Sequence, residues 1–190
     1  MSLLVLAADV RHSSLLMKEA VDPYRFASTL GGFIKRSRGV VWESRGWFDK
    51  FTGDGLLAYW PYTEGTKNSM LLRVFGAVRR LLNDFDQTYV PQFAANSQNY
   101  PEQVRLAVGL DDGYASLVTI ADEPTIVGPA VVGAVRMVEA VGPWDVLANV
   151  HLGYYVANEV GEGRLTGVEA SLVSVVTKEY EQQAYFLSFH

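Results

Sequence analysis

The chain has 190 residues, of which 49% are hydrophobic and 19% are charged. This composition is typical of a folded protein and excludes intrinsic disorder, and the length suits one domain with a sizeable core. The 16 basic and 21 acidic side chains give a formal charge of -5. Because Lys and Arg residues are scattered rather than gathered in one stripe, we expect no nucleic-acid-binding surface. Cysteine is absent, which excludes disulfides and thiolate metal sites and fits a cytoplasmic protein.

The first predicted element is a buried strand from Leu3 to Asp9. Its apolar run is short, lacks a basic leader and ends in an acid, so we expect neither a signal peptide nor a membrane span. Asp9 is expected to face solvent or a ligand at the end of this strand. A helix is then predicted to begin near Pro23 and to end near Gly39. Its apolar residues recur at helical spacing: Phe26, Leu30, Phe33 and Ile34.

The segment VVWESRGWFDKFTGDGLLAYW predicts a hairpin of two β-rich strands joined by a Gly-Asp-Gly turn at residues 53–55. Within it, GDGLLA fits the dinucleotide fingerprint GxGxxA, which must open a helix. Because LLAYW reads as a strand, we reject the dinucleotide-binding interpretation. An amphipathic helix is predicted next, from Ser69 to Phe85.

A polar loop containing Pro91, Asn96 and Pro101 is expected to follow this helix. VRLAVGLDDG predicts a strand that enters a turn at Asp111 and Asp112, and SLVTIA and TIV predict short strands. A helix is predicted to open at Pro129, followed by strand WDVLA and by helix NVHLGYYVANEV with Asn149 as its cap. The strands SLVSVVT and AYFLSF complete the chain. This order predicts a single α+β domain over residues 1–190, with a mostly antiparallel sheet flanked by helices.

Two acids stand where a backbone can approach a ligand closely. Asp9 ends an apolar strand, and Asp54 lies at the tip of the glycine-flanked hairpin. If the hairpin pairs beside the first strand, both carboxylates converge and can hold two hard divalent cations about 3.5 to 4 Å apart, as in phosphoryl-transfer sites. The backbone N–H groups of residues 10–14 would then face a triphosphate. Taken singly, each acid is an ordinary turn or edge-strand aspartate, which is the usual interpretation of an isolated Asp-Gly.

Three segments resemble motifs of the class III adenylate and guanylate cyclases. GWFDKFTGDGLLAYW looks like the signature hairpin of that family, and DVRHSS resembles its first metal-binding motif. TIVGPAVVGAVRMVE is similar to its third motif, a strand, a glycine turn and a helix that carries an arginine. The motifs occur in family order, and the predicted elements match the cyclase fold, which has a ferredoxin-like βαβ base, over nearly the whole chain.

The resemblance implies a role for each matching position. Asp9 and Asp54 would bind two divalent cations, Mn²⁺ or Mg²⁺, with the Val10 carbonyl as a further ligand. Arg136 would stabilise charge on the reacting phosphate. The implied substrate-binding residues are Lys50 and Thr125 for the base, Lys178 for the triphosphate, and Arg11, Ser13 and Ser14 beside the first metal motif. In this family the active sites lie between the two protomers of a homodimer, so Lys50 and Asp54 of one chain would serve different sites.

One position departs from the family pattern. The family helix carries an asparagine that orients the ribose, whereas Val132 stands at that position and cannot form a hydrogen bond. A lone catalytic domain with an aromatic-rich hairpin is similar to the pyrimidine cyclases of bacterial Pycsar antiphage systems. These make cyclic UMP or cyclic CMP, which activates a separate effector. We expect bulky Trp42, Trp47 or Tyr59 to narrow the base pocket, or else to be core residues. The alternatives are an adenylate or guanylate cyclase, or a catalytically silent nucleotide-binding domain.

Other features have ordinary structural interpretations. Arg136 alone would be a surface helix residue, Lys50 an edge-strand lysine, and Arg105 the partner of a structural ion pair. The three histidines lack ligand-type spacing: His12, His151 and His190. The sequence has neither a GxSxG elbow nor a Walker loop, so hydrolase and P-loop functions lack support.

Overall fold

The computed structural model of the chain describes residues 1–140, 145–177 and 181–190. The strands are β1 (Ser2–Val10), β2 (Trp47–Phe51), β3 (Gly55–Pro61), β4 (Leu106–Tyr114), β5 (Ser116–Ile120), β6 (Glu123–Val127), β7 (Val146–Asn149), β8 (Val168–Val176) and β9 (Glu181–Phe189). The α-helices are α1 (Ser13–Glu19), α2 (Pro23–Glu43), α3 (Lys67–Asp84), α4 (Val90–Ala94), α5 (Pro129–Glu139) and α6 (Val150–Gly161). In the part of the chain that is described, no helix is long and apolar enough to cross a bilayer.

Seven strands form one sheet in the order β2-β3-β1-β4-β7-β9-β8, and β5 and β6 form a separate ribbon. The pair β4 and β7 is parallel, and the other five neighbouring pairs of the sheet are antiparallel. The predicted α+β class with a mostly antiparallel sheet is therefore confirmed. The predicted hairpin is also confirmed, since β2 and β3 are joined by the turn that contains Asp54.

Strand β1 is apolar from Leu3 to Ala8 because helices cover both faces of the sheet. Leu4, Leu6 and Ala8 belong to the large core with helices α2, α3 and α6, whereas alternate residues Leu3 and Val5 pack in a second core with α5. Successive side chains of a strand point to opposite faces, so one run of six apolar residues contributes to both cores. This burial fixes the end of β1, and with it the position of Asp9.

Helix α5 lies close to β4 because Gly109 has no side chain. A Cβ atom at Gly109 would overlap the carbonyl oxygen of Ala134 and would lie 2.7 Å from the backbone nitrogen of Val138. These neighbours are backbone atoms of a buried helix, which cannot move aside without repacking the core. The glycine thus sets the distance between α5 and the sheet.

We expect Gly109→Ala to lower the free energy of unfolding by about 3 kcal/mol, because overpacking against backbone forces the helix away. Urea denaturation measures this change. Gly31→Ala on α2 is the matched control, since a Cβ atom there meets nothing within 4 Å. The control should raise stability by up to about 1 kcal/mol through helix propensity. An unchanged midpoint for Gly109→Ala would contradict the close packing.

Residues 85–94 differ from the prediction of a polar loop. The chain stays helical through a π-helical turn at Phe85–Tyr89 and into α4. Pro91 lies in the first turn of α4, where its missing N–H is not needed. The loop prediction holds only beyond Ala94. Helix α1 was not predicted at all.

The turn predicted at Asp111 and Asp112 is wrong, because both residues lie in β4 and are buried. The Asp112 carboxylate forms an ion pair with Lys67 (Nζ–Oδ2 2.7 Å) and accepts a hydrogen bond from the Tyr62 hydroxyl at 2.8 Å. The Lys67 ammonium lies 3.9 Å from the ring centroid of Tyr155. Buried charges are tolerated in a strand when paired in this way.

Candidate active site

The side chains of Asp9 and Asp54 meet at the end of β1. Asp9 pairs with Gly55 of β3 in the antiparallel ladder, so the hairpin turn lies directly beside the strand end. A Cβ atom at Gly55 would overlap the Ala8 carbonyl oxygen, which explains the glycine next to Asp54. The Ser13 hydroxyl donates a hydrogen bond to the Asp54 carboxylate. The predicted convergence of the two acids is thus present in the fold.

Proximity and burial raise the pKa of Asp9. Burial raises the pKa of Asp9 to about 6, and the neighbouring Asp54 carboxylate and Glu139 add to the increase. Arg11 opposes it as the nearby positive charge. Two adjacent carboxylates disfavour each other's ionised form, so a cation between them would be strongly favoured.

The two carboxylates are suitable ligands for a divalent cation whose coordination is completed by a substrate. Across the residues described, no group of three or more His, Cys, Asp or Glu side chains forms a metal cluster. Magnesium is usually held by one or two carboxylates together with waters and substrate phosphates, so a pair of acids at an open groove is sufficient. Asp9 and Asp54 would supply these ligands.

A groove of about 470 Å³ opens at Asp9, and we call it the first groove. Arg11 and Lys50 also line it, and Val131 and Val135 of α5 form part of an apolar wall. The groove therefore combines an acid, two basic side chains and an apolar surface. Such a combination suits a ligand that has both charged and flat apolar parts.

Asp49 joins the two predicted base-contacting residues, and the sequence interpretation missed it. Its carboxylate accepts hydrogen bonds from the Thr125 hydroxyl at 2.7 Å and from the Ile126 backbone N–H at 2.9 Å. The Lys50 ammonium lies 3.4 Å from the same carboxylate. Asp49 falls at an irregularity in the β2–β3 ladder, between Phe48 and Lys50. A β-bulge changes the direction in which a side chain points. In the sequence, the alternation Phe-Asp-Lys was the only sign of this arrangement.

Arg136 lies on the other side of α5, in a second groove of about 540 Å³. Asp111, Asn149 and Gln182 line the same groove, as does Val132, which is half exposed. Asp9 and Arg136 of one chain therefore line different grooves.

The chain matches solved structures in fold but not known families in sequence. No protein-family model and no curated protein matches it. The adenylyl cyclase CyaB from P. aeruginosa matches with a TM-score of 0.76 and 18% identity, over 100% of this chain and 94% of that chain. The guanylyl cyclase Cya2 matches with a TM-score of 0.71 and 14% identity, over 100% and 91%. The guanylate cyclase domain of RhGC from Catenaria anguillulae, solved in complex with GTP, matches with 0.71 and 14%, over 100% and 97%.

The chain has the fold of a nucleotide cyclase catalytic domain. The fold class predicted from the sequence, including its likeness to class III cyclases, is confirmed at this level. At these identities the match concerns the fold alone.

Within this cyclase fold, the segment that resembles the family's first metal-binding motif forms several hydrogen bonds within the protein itself. The Arg11 guanidinium donates to the carbonyl oxygens of Val138 and Ala140, the latter at 2.9 Å, and its backbone N–H donates to the Arg105 carbonyl oxygen at 2.8 Å. That N–H is therefore not available to a triphosphate, contrary to expectation. Arg11 instead fastens the end of β1 to the end of α5.

The other predicted residues are distributed as follows. Val10 ends β1, and Ser14 is exposed in the first turn of α1. Lys178 lies outside the described residues, so its assignment stays a prediction. Arg105 lies 3.6 Å from Asp145 (Nε–Oδ1), as expected for a structural ion pair.

The bulky aromatic residues do not narrow either groove. Trp42 and Trp47 are 74% and 57% exposed and line separate depressions with Gly46. Tyr59 is buried in the core beneath α5. Neither tryptophan lines the first or the second groove, because α2 and the start of β2 carry them elsewhere.

Proposed function

We propose that this chain is a nucleotide cyclase that converts a nucleoside triphosphate into a 3′,5′-cyclic monophosphate and pyrophosphate. The observation that carries the proposal is the convergence of Asp9 and Asp54 at the hairpin of a cyclase fold. A raised carboxyl pKa and paired carboxylates in a groove are typical of functional sites. A structural turn alone would not require two acids to share one partly buried position.

In the proposed reaction, the ribose 3′-oxygen attacks the α-phosphorus and the bond to the pyrophosphate oxygen breaks. The 3′-hydroxyl proton passes to solvent. Divalent cations bound at Asp9 and Asp54 would lower the pKa of that hydroxyl and neutralise phosphate charge. The Ser13 hydroxyl holds the Asp54 carboxylate in place. No covalent enzyme intermediate is required.

The proposed site is shared between two protomers of a homodimer. One chain contributes the carboxylate pair, and its partner contributes Arg136 from the second groove. The guanidinium fork would stabilise the charge that develops on the phosphoryl oxygens, and Lys178 would bind the departing pyrophosphate. The position of Arg136 in a different groove from Asp9 supports this arrangement.

Base recognition is assigned to the cluster around Asp49. Lys50 and Thr125 would present hydrogen-bonding groups to the ring, and Asp49 fixes both side chains. We further propose a pyrimidine substrate and a role in antiphage defence, in which cyclic UMP or cyclic CMP activates a separate effector. This proposal depends on the hairpin sequence and on the departure at Val132.

Product analysis with four nucleotides tests the proposed function. Purified protein is incubated with Mn²⁺ and with ATP, GTP, CTP or UTP in parallel, and the products are separated by chromatography. We expect a cyclic monophosphate from UTP or CTP. Turnover of ATP or GTP alone would contradict the pyrimidine assignment, and the absence of any cyclic product would contradict the cyclase.

A further inference from the structure

The second groove contains buried polar atoms that lack partners. The Asp112 side chain is 2% exposed, and its Oδ1 atom has no hydrogen bond within the described ranges. His151 Nε2 is 3.8 Å away, beyond hydrogen-bonding distance. The Gln182 Nε2 atom is likewise buried without an acceptor. The unmet acceptor and the unmet donor both belong to residues that line this groove, so its wall has unused hydrogen-bonding capacity.

Asn149 and Asp111 form a hydrogen-bonded pair that packs against α5 in this groove. Asn149 donates from Nδ2 to Asp111 Oδ2 at 2.8 Å, and Asp111 Oδ1 accepts from the Asp112 backbone N–H at 2.8 Å. A Cβ atom at Gly133 would overlap the Asp111 carboxylate and would lie 2.9 Å from Asn149 Nδ2. The pair therefore lies against the α5 backbone between Val132 and Arg136.

Asn149 is the N-cap residue of α6, as the sequence predicts, but its side chain forms no capping hydrogen bond. It points instead to Asp111. The Oδ1 atom and the second side-chain N–H of Asn149 have no partners among the residues that are described. Both groups belong to a half-buried side chain that lines the groove.

Helix α5 itself cannot supply these hydrogen bonds. Of its residues that line the second groove, only Arg136 is polar. The others have no polar side-chain group: Pro129, Ala130, Val132, Gly133 and Met137. Within one protomer, a ligand held by Arg136 therefore meets further polar groups on the opposite wall of the groove, where Asn149 lies.

We propose that Asn149, held in place by Asp111, binds the sugar hydroxyls of the nucleotide and orients the ribose in place of the amide that Val132 lacks. This inference rests on the proposed function, because it assumes that Arg136 and the second groove belong to the active site. Asn149 would contact the substrate directly, and Asp111 would act as a positioning residue.

Kinetics of Asn149→Ala test the orienting role. We expect kcat to fall by roughly tenfold to a hundredfold, with a change in KM below about threefold, because orientation is lost rather than overall affinity. Adding Val132→Asn to this variant should restore most of the lost kcat. Asn158→Ala, at an exposed position of α6, is the matched control and should match the wild type. Failure of Val132→Asn to restore any activity would contradict the orienting role.

Binding measurements separate this inference from the proposed function. Calorimetry with a non-hydrolysable nucleoside triphosphate and its 2′,3′-dideoxy counterpart compares sugars without any mutation. The wild type should prefer the ribose form by about threefold, and Asn149→Ala should bind both forms alike. Equal binding by the wild type, or no binding, would overturn the inference. Ribose preference that depends on Asn149 but occurs without turnover would support the inference and overturn the cyclase.

Discussion

Asp9→Asn and Asp54→Asn are each expected to reduce cyclic nucleotide formation by at least about 10³-fold. Each substitution keeps the shape of the side chain but removes a negative charge that a divalent cation requires. The amide oxygen introduced by Asp54→Asn would still accept the hydrogen bond from Ser13, so the local structure should persist. Initial rates at saturating Mn²⁺, measured by product chromatography, give the effect.

Stability measurements distinguish lost chemistry from lost folding in these variants. The pKa of Asp9 is raised in the folded protein to about 6, from an ordinary value of 3.8. The folded state therefore binds the Asp9 proton more tightly than the unfolded state does, which stabilises the folded protein at a pH below 3.8. This stabilisation is lost as the pH rises through about 6. In EDTA at pH 7, Asp9→Asn should therefore melt no lower than the wild type.

Asp86→Asn is the matched control, because Asp86 is an exposed acid in the helical segment that precedes α4. It should leave the rate of cyclisation unchanged. Activity near the wild-type level in Asp9→Asn or Asp54→Asn would remove the basis for the proposed metal site.

Arg136→Ala is expected to lower kcat by about 10² to 10³-fold. The loss should appear equally in kcat/KM, because the arginine is proposed to act on charge that develops in the transition state. Arg136→Lys should recover little, since a lysine lacks the planar fork that binds two phosphoryl oxygens. Arg73→Lys on the exposed surface of α3 is the control for the same chemical change. A large rise in KM with unchanged kcat would instead indicate simple binding.

The elements carrying the site were predictable because local patterns and packing agree there. The apolar run of β1 and the Gly-Asp-Gly turn are short-range signals, and their pairing brings Asp9 beside Asp54. Pro129 opens α5 as its position predicted. The family resemblance implied a role for each of these positions. The solved cyclases confirm the fold that it implied.

The remaining features depend on contacts between residues that are distant in the sequence. Asp112 followed by glycine looks like a turn, but Lys67 and Tyr62 reach it from elsewhere and keep it in the strand. The bulge that turns Asp49 toward Thr125 likewise requires a neighbouring strand to be seen. Asn149 donates a hydrogen bond to Asp111, which lies on a different strand. The sequence therefore indicated the helix-cap position of Asn149 but not the direction of its side chain. In each case, long-range compensation overrides a local preference.

A mixing experiment tests the central claim most directly, namely that the carboxylate pair of one protomer works with the arginine of its partner. Asp9→Asn and Arg136→Ala proteins, each nearly inactive alone, are combined in equal amounts and allowed to exchange subunits. In a twofold-symmetric dimer, half of the dimers become mixed and each mixed dimer regains one intact site, so roughly a quarter of the wild-type activity should return. A mixture no more active than the average of its two components would contradict the shared site.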